Sequence, residues 1–593
     1  MYVADPRRPG ETTLRGIGVS PGVAIGPAYL MLDTGFHAAE RRIAEGQAGE
    51  EIVRLEDALI ETRQQIKAIQ ANLDSNSAGG KASILDAHLM VLDDRAFIEE
   101  VINTIRRDLV NAEGGVRKTA ERYVDILAGV EDDYVRERVA DVRDVARRIM
   151  RNLSGRGTDL LEQLRHKHII IAYDLAPSDT ASLRKDMAIA FATDMGSPTS
   201  HTAVMARALE IPAVVALHDI SRRVRTGDEV LIDGNRGVVI VNPTSEHLTE
   251  YGKMAEARRT ISEGLTASLR HAPAETRDGR RVTLSANLEQ EEELGAVLQY
   301  GAEGVGLFRS EYLFLSKNAL IGEDEQAAAY GRVASRLAPA PVIIRTLDIG
   351  GDKLMRDADG TREANPFLGC RSIRLSLRHV DVFKTQLRAI LRASTHRNVK
   401  IMYPMISNVG EVQRANEILE ETKGEMRAEG LDFDPAVEVG VMIETPAAAL
   451  TSDCIAAHVK FFSLGTNDLI QYTIAVDRVN ERVAYLYEPT HPAVLRLIRH
   501  TVEAGHAQGI WVGLCGEMAA DPLMTPLLLG MGLDEFSVAP SAVPLVKDAV
   551  RAVTFAQAQA LARTALTCRT AAEVLGHCRD LTREVAPEIL ELV

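Results

Sequence analysis

TDMGSPTSHTAVMARALEIPAVV, Thr193 to Val215, shows in one stretch the alternation that runs through much of the chain. A turn at Gly196-Ser197-Pro198 leads into Thr-Ser-His, and apolar residues at helical spacing follow (Ala203, Val204, Met205, Ala208, Leu209). Ile211-Pro212 breaks the helix and Ala-Val-Val opens a strand. The texture is α/β. His201 is expected in the first turn of the helix, directly behind a tight loop. Backbone N–H groups without internal partners and the positive end of the helix dipole make such a position a phosphate site. Imidazole is also among the few side chains that can accept a group covalently near neutral pH. A histidine that only caps or packs is the competing reading of this stretch.

Around this stretch, residues 168–241 continue in the same manner. HIIIAYDL and MAIAFATD read as buried strands, and EVLIDGNRGVVIV as a hairpin with an Asn-Arg-Gly turn. LRGIGVSPGVAIGPAYLML, residues 14–32, has β-branched residues between glycines and is expected to add strands to the same sheet. Between them, from Ala38 to Asn152, charged and apolar residues alternate at i, i+3, i+4, with glycines at breaks near 76–80 and at Gly114-Gly115. That pattern predicts an inserted bundle of about four helices. Residues 244–270 are helical and charged, as a rigid connector would be.

From Arg277 onward strands and helices alternate to the end. The strand candidates are VTLSANL, GVGLF, VIIRTLD, VKIMYPMI, VGVMIE, FFSLGTND, WVGLCGE and EFSVA. Eight such units within about 300 residues predict a (β/α)8 barrel. The expected fold is multidomain α/β. An α/β domain (1–37 and 153–243) is interrupted by a helical subdomain (38–152), and a helical linker (244–276) joins it to a C-terminal TIM-type barrel (277–593).

The 593 residues exceed one core. A net charge of −16 argues against a nucleic-acid binder, and 4% aromatic content with a single Trp argues against a stacking platform. The five cysteines form no CxxC pair, which fits reduced thiols and gives no zinc site. The opening MYVADPRRPGETT is polar and no apolar run reaches spanning length, so a cytoplasmic protein without membrane insertion is expected.

Barrel chemistry sits at the carboxyl ends of the strands. There the sequence places Arg309 (LFRSE), Arg345 followed by Asp348 and Lys353 (VIIRTLDIGGDK), and Glu444 (VMIETPAA). Strand six is read as ending in Asn467 and Asp468 (GTNDLIQYTIAVDR), with Arg478 beyond, and strand seven in Cys515 and Glu517 (GLCGEMA). Arg371 (GCRSIR) lies on the connection after strand three. Arginine forks bind phosphate and carboxylate, and two carboxylates suit Mg²⁺, so the set suits a small, multiply charged anion held with a divalent metal. Loop-tying ion pairs and a merely packed cysteine are the plainer readings of single members.

These motifs resemble Enzyme I of the bacterial phosphotransferase system, the phosphoenolpyruvate–protein phosphotransferases. The resemblance runs through GIGVSPGVAIGPA, SPTSHTAVMARALEIPAVV, GVGLFRSEYLF, VIIRTLDIGGDK, NPFLGCRSIR, IETPAA, SLGTNDLIQYTIAVDR and GLCGEMA, and covers essentially the whole chain. It implies that His201 is phosphorylated, that Arg309, Arg345 and Arg478 clamp phosphoenolpyruvate beside Asn467, and that Glu444 and Asp468 hold Mg²⁺. It also implies that Cys515 protonates the enolate to give pyruvate, with Arg371 and Lys353 near the substrate. ILDAHLMVLDD, Ile84 to Asp94, is similar to the segment that contacts the carrier HPr. A dimer through the barrel and a histidine domain that swivels between two sites are further implications.

The chain departs from the family pattern at the Gly196-Ser197-Pro198 turn, where two glycines are frequent. It also departs at Cys370, where an aromatic is frequent, and at Ala216, where a glycine is frequent. A nitrogen-regulatory carrier is the alternative acceptor. Nucleotide-using relatives of the pyruvate phosphate dikinase or phosphoenolpyruvate synthase type are disfavoured, because no GxxxxGK[ST] loop precedes His201. A non-enzymatic scaffold would have lost one of these side chains, and all are present.

Overall fold

The computed structural model describes residues 11–20, 22–31, 40–76, 89–128, 133–153, 166–175, 187–196, 206, 211–317, 320–350, 365–478, 480 and 483–592. His201 and Lys353 lie outside them, as do residues 84–88 of the segment 84–94. The chain divides into two compact units, Met1–Glu256 and Ala257–Val593.

The first unit is built on an eight-stranded sheet of order β1-β8-β7-β3-β4-β5-β6-β2. Its strands are β1 Thr12–Arg15, β2 Ile17–Ser20, β3 Val23–Met31, β4 His168–Ala172, β5 Ala188–Thr193, β6 Ala213–Val215, β7 Glu229–Asp233 and β8 Val238–Val241. Strands distant in sequence are therefore neighbours: β3 runs parallel to β4 with Ala28 opposite Ile169. Alternation explains why β4 reads as a continuous apolar run. Ile170 packs on one face with Phe191 and Val215, while Ile169 and Ile171 pack on the other with Ala190 and Val214. The β7–β8 hairpin closes through Asp233, whose Oδ1 accepts the N–H groups of Asn235 (3.0 Å) and Arg236 (3.1 Å).

Between β3 and β4 stand the helices α1 Ala48–Asn76, α2 Arg95–Asp108, α3 Ala112–Ala128 and α4 Asp133–Leu153. Phe97, Val101 and Ile105, four apart, bury one stripe of α2 against Val116 and Ala120 of α3. Asp94 caps α2 by accepting the Ala96 N–H at 2.9 Å. Buried Glu51 reaches from α1 to accept the Ala112 N–H at the start of α3 at 2.9 Å.

Gly114-Gly115, read from sequence as a break, instead lies in the first turn of α3, and the chain turns just before it, at Leu109 (φ 50°). The glycines serve packing. A Cβ at Gly115 would stand 2.6 Å from Ile105 Cγ1, so the absent side chain lets α2 and α3 approach.

Helix α5, Ser245–Leu269, carries the division between the units. The second unit is a closed parallel barrel of β9 Thr283–Leu288, β10 Val305–Arg309, β11 Val342–Arg345, β12 Val399–Tyr403, β13 Glu438–Ile443, β14 Phe461–Leu464, β15 Trp511–Leu514 and β16 Glu535–Val538. All eight strand candidates fall in it. The strands are shorter than read, because Asn467 and Asp468 belong to the helix Thr466–Ile474 rather than to the end of β14. Among the described residues no helix is long and apolar enough to cross a membrane.

Gly115→Val is expected to cost the helical subdomain about 1–3 kcal/mol through overpacking. The check is faster native-state hydrogen exchange in α2 and α3, with the barrel amides unchanged.

Candidate active site at the barrel mouth

The carboxyl ends of the strands bring charged side chains onto one face. Arg309 and Arg345 are the last residues of adjacent strands and stand in register. Arg309 Nη1 pairs with Glu289 Oε1 at 2.5 Å, just beyond the end of β9. Arg345 is only 7% exposed. Its guanidinium pairs with Glu311, at the start of the helix Glu311–Lys317, and with Asp348 Oδ2 at 2.8 Å.

Asp348 is shared. Its Oδ1 takes Arg371 Nη2 at 3.1 Å and the Ser372 hydroxyl. Burial would raise its pKa, but Arg345 and Arg371 overcome that and hold it down to about 2. Arg371 also donates to the Tyr472 hydroxyl at 3.5 Å and lies over the Phe367 ring, 5.9 Å from its centroid. Arg345 Nε and Glu311 Oε2 remain buried without hydrogen-bond partners.

Across the mouth, Glu444 follows β13 and is almost wholly buried. Its Oε1 accepts the Met405 N–H at 2.5 Å. Burial first, then repulsion from Asp348 and Asp468, pushes its pKa up to about 8 against the pull of Arg345. Gly465 is required beside it, since a Cβ there would lie 2.7 Å from Glu444 Oε2. Asp468 Oδ1 is buried with no hydrogen-bond partner. Arg478 Nη1, equally unsatisfied, stands 3.6 Å away. Asn467 Oδ1 accepts the Glu517 N–H at 2.8 Å, so it is braced by the loop after β15.

Cys515 closes the floor of this mouth at 3% exposure. Burial pushes its thiol up to about 11, despite the Ser463 hydroxyl and Arg345 nearby. It is therefore a protonated thiol at neutral pH. Its backbone carbonyl accepts Asn287 Nδ2 at 3.3 Å.

The residues fit a divalent cation that is only partly caged by protein. Glu444 and Asp468 repel one another, and a buried Asp468 oxygen lacks a partner. Among the described residues no three His, Cys, Asp or Glu side chains form a metal cage. Mg²⁺ commonly takes one or two carboxylates and leaves its other positions to substrate and water.

Three family models match the chain: "PEP-utilising enzyme, N-terminal" over residues 15–138, "PEP-utilising enzyme, mobile domain" over 164–237, and "PEP-utilising enzyme, PEP-binding domain" over 264–555. The phosphoenolpyruvate-protein phosphotransferase of Geobacillus stearothermophilus is 43% identical over 96% of this chain and 98% of its own. That of Haemophilus influenzae is 40% identical over 95% of this chain and 97% of its own. The chain belongs to the phosphoenolpyruvate-protein phosphotransferase family. A solution structure of an Enzyme I protein (nEIt), 40% identical, covers 42% of this chain and 99% of its own at a TM-score of 0.35.

In this family member the barrel mouth gathers Arg309, Arg345, Arg371, Glu444, Asn467, Asp468, Arg478 and Cys515 from the sequence reading. Sequence reading did not single out Glu289, Glu311, Ser372 or Tyr472, and it gave Asp348 no role. Glu311 stood in plain view in LFRSE, two residues after Arg309. Nothing in its position along the chain says that it folds back under Arg345 on the next strand.

Asp348→Asn removes the shared counter-charge of two buried guanidiniums and is expected to destabilise the barrel by about 3–5 kcal/mol, seen in thermal unfolding. Cys515 is expected to resist iodoacetamide at pH 7.5 while exposed Cys454 is alkylated, as peptide mass spectrometry would show.

Proposed function

We propose that this enzyme transfers the phosphoryl group of phosphoenolpyruvate to His201 and from there to a histidine of the phosphocarrier HPr, releasing pyruvate as the first step of phosphotransferase-system sugar uptake. The observation that carries this reading is the barrel mouth: converging guanidiniums, with an unsatisfied carboxylate oxygen and an unsatisfied guanidinium nitrogen between them. Arg309, Arg345, Arg371 and Arg478 there stand among Glu289, Glu311, Asp348, Glu444 and Asp468. A divalent ion would add positive charge to this mouth and favour an anionic substrate.

Phosphoryl transfer asks a protein for positioning and charge neutralisation. Arg309, Arg345 and Arg478 hold the phosphate and carboxylate, with Asn467 beside them and with Arg371 and Lys353 close to the substrate. Glu444 and Asp468 would hold Mg²⁺, which supplies charge stabilisation on the phosphoryl oxygens. His201, neutral, takes the phosphoryl group as the P–O bond to the enolate breaks. Cys515, kept protonated by burial, gives its proton to the methylene carbon.

The loaded histidine then serves a second protein, so the α/β domain (1–37 and 153–243) moves as a carrier on the linker 244–276. The helical subdomain 38–152 docks HPr, and the barrel 277–593 binds phosphoenolpyruvate and pairs with a second copy. His201 falls within the stretch 164–237 matched by the mobile-domain model, which supports a carrier role for it.

Incubation with [³²P]phosphoenolpyruvate and Mg²⁺ is expected to label the protein in an acid-labile, base-stable form. His201→Ala takes up no label, and Glu444→Gln labels about 100-fold more slowly or worse. Label entering His201→Ala would refute the assignment. Timed transfer to HPr and to a nitrogen-regulatory carrier, compared side by side, identifies the acceptor, and faster transfer to HPr is expected.

A further inference from the structure

The ends of β10 and β11 are tied together by a buried amide that touches neither of their arginines. Gln386 lies on the helix Val380–Ala393 and is 2% exposed. Its Oε1 accepts the Leu347 N–H at 2.9 Å. Its Nε2 donates to Ser310 Oγ at 3.0 Å and to the Tyr330 hydroxyl at 3.3 Å. Ser310 and Tyr330 are themselves fully buried. Tyr330 donates onward to Gln326 Oε1 at 3.2 Å, and Gln326 Nε2 donates to the Ile321 carbonyl at 2.8 Å. Both N–H groups of the Gln386 amide and its carbonyl are therefore in use.

The two residues that Gln386 grips immediately precede the two counter-charges of Arg345. Ser310 precedes Glu311, and Leu347 precedes Asp348. Glu311 and Asp348 are the carboxylates between which the Arg345 guanidinium is held. Ser310 also follows Arg309 directly, and Arg309 and Arg345 stand in register at the strand ends. One amide thus spans the two segments that carry both arginines and both carboxylates. Among the described residues it makes no hydrogen bond to either guanidinium, so it reaches them only through the chain and through Glu311 and Asp348. The neighbouring buried residues of the same helix are apolar: Phe383, Leu387 and Ile390. Packing alone would be served at 386 by an apolar side chain of the same volume. The amide adds a fixed distance between two chain segments.

We propose that Gln386 is a positioning residue of the phosphoryl-transfer site: by holding Ser310 and Leu347 at one separation it fixes, through Glu311 and Asp348, the direction in which the Arg345 guanidinium meets the substrate anion. The proposal rests on Arg345 being part of the phosphoenolpyruvate clamp. The ion pair does not fix this geometry unaided, since Arg345 Nε and Glu311 Oε2 are buried without hydrogen-bond partners. A planar fork that binds two oxygens depends on its angle as well as its charge. A misplacement of about 1 Å by a change remote from the chemistry can cost about 100-fold in rate.

The test uses the full-length enzyme with Mg²⁺ and excess carrier protein, at varied phosphoenolpyruvate. Gln386→Met keeps the volume and removes the bridge. It is expected to raise KM for phosphoenolpyruvate and to lower kcat/KM by about tenfold or more, while [³²P] labelling at saturating substrate still reaches wild-type stoichiometry. Gln386→Glu keeps an acceptor for the Leu347 N–H and an oxygen for the Ser310 hydroxyl, and is expected to lie closer to wild type than Gln386→Met. Ser310→Ala cuts one arm, with an expected loss in kcat/KM of about threefold, and carries the same test where Gln386→Met does not fold. Tyr330→Phe cuts only the arm that leads away from the mouth. It is expected to lower thermal stability and leave KM within about twofold of wild type.

A double-mutant cycle with Arg345→Lys separates positioning from general loss of structure. Lysine keeps the charge and loses the fork. If Gln386 acts through Arg345, adding Gln386→Met to Arg345→Lys changes kcat/KM by no more than about twofold. The full loss in both backgrounds, or a fall in labelling stoichiometry with KM unchanged, marks a merely structural role and overturns the proposal. So do wild-type KM and kcat/KM in both Gln386→Met and Ser310→Ala. If Arg345→Lys itself leaves kcat/KM unchanged, the clamp assignment fails. If Arg345→Lys is impaired while the Gln386 and Ser310 variants match wild type, only the positioning role fails.

Discussion

Arg345 is the residue on which the second unit's chemistry depends. Its guanidinium is buried between Glu311 and Asp348, and Asp348 is in turn held by Arg371 and Ser372. A charge out of water is tolerable only when it is paired and hydrogen-bonded. The pairing ties the end of β11 to the helix after β10 and to the chain around Arg371. Three barrel segments therefore cannot shift independently, and the charged face of the mouth is set by the protein's own pairing. Such preorganisation is what phosphoryl transfer requires, because the protein contributes position and charge rather than covalent chemistry.

The same low-dielectric setting divides the carboxylates by role. Asp348, with two arginines, stays ionised far below the ordinary range, whereas Glu444, buried among like charges, is pushed up to about 8. Asp348 is a structural anion; Glu444 and Asp468 form a pair whose repulsion a divalent cation would relieve. Cys515 belongs to the same logic. Burial, which would spoil a nucleophilic cysteine, favours one that must carry a proton.

The first unit follows a different constraint. Its sheet is assembled from strands on both sides of a helical insert, so β3 pairs with β4 across more than a hundred residues of intervening chain. The insert keeps its own core, centred on Phe97, Ile105, Val116 and Ile149, separate from the two cores that flank the sheet. Independent cores let one element change function without unpicking the other.

Much of this was legible along the chain. Hydrophobic patterning marked all the barrel strands, and the types of residue at their ends marked the charged mouth, because burial pattern and strand-end residue type are local properties. Gly114-Gly115 was misread because a glycine that permits two helices to touch looks, in sequence, like one that ends a helix. Asn467 and Asp468 were placed on a strand because the start of a helix is the least local part of its pattern. The sequence by itself determined the α/β class, the eightfold barrel and the residue types of the mouth. Only the tertiary structure decided which carboxylate neutralises which arginine and which acid stays protonated. Those outcomes depend on burial and on distances between strands, and neither is a property of sequence spacing.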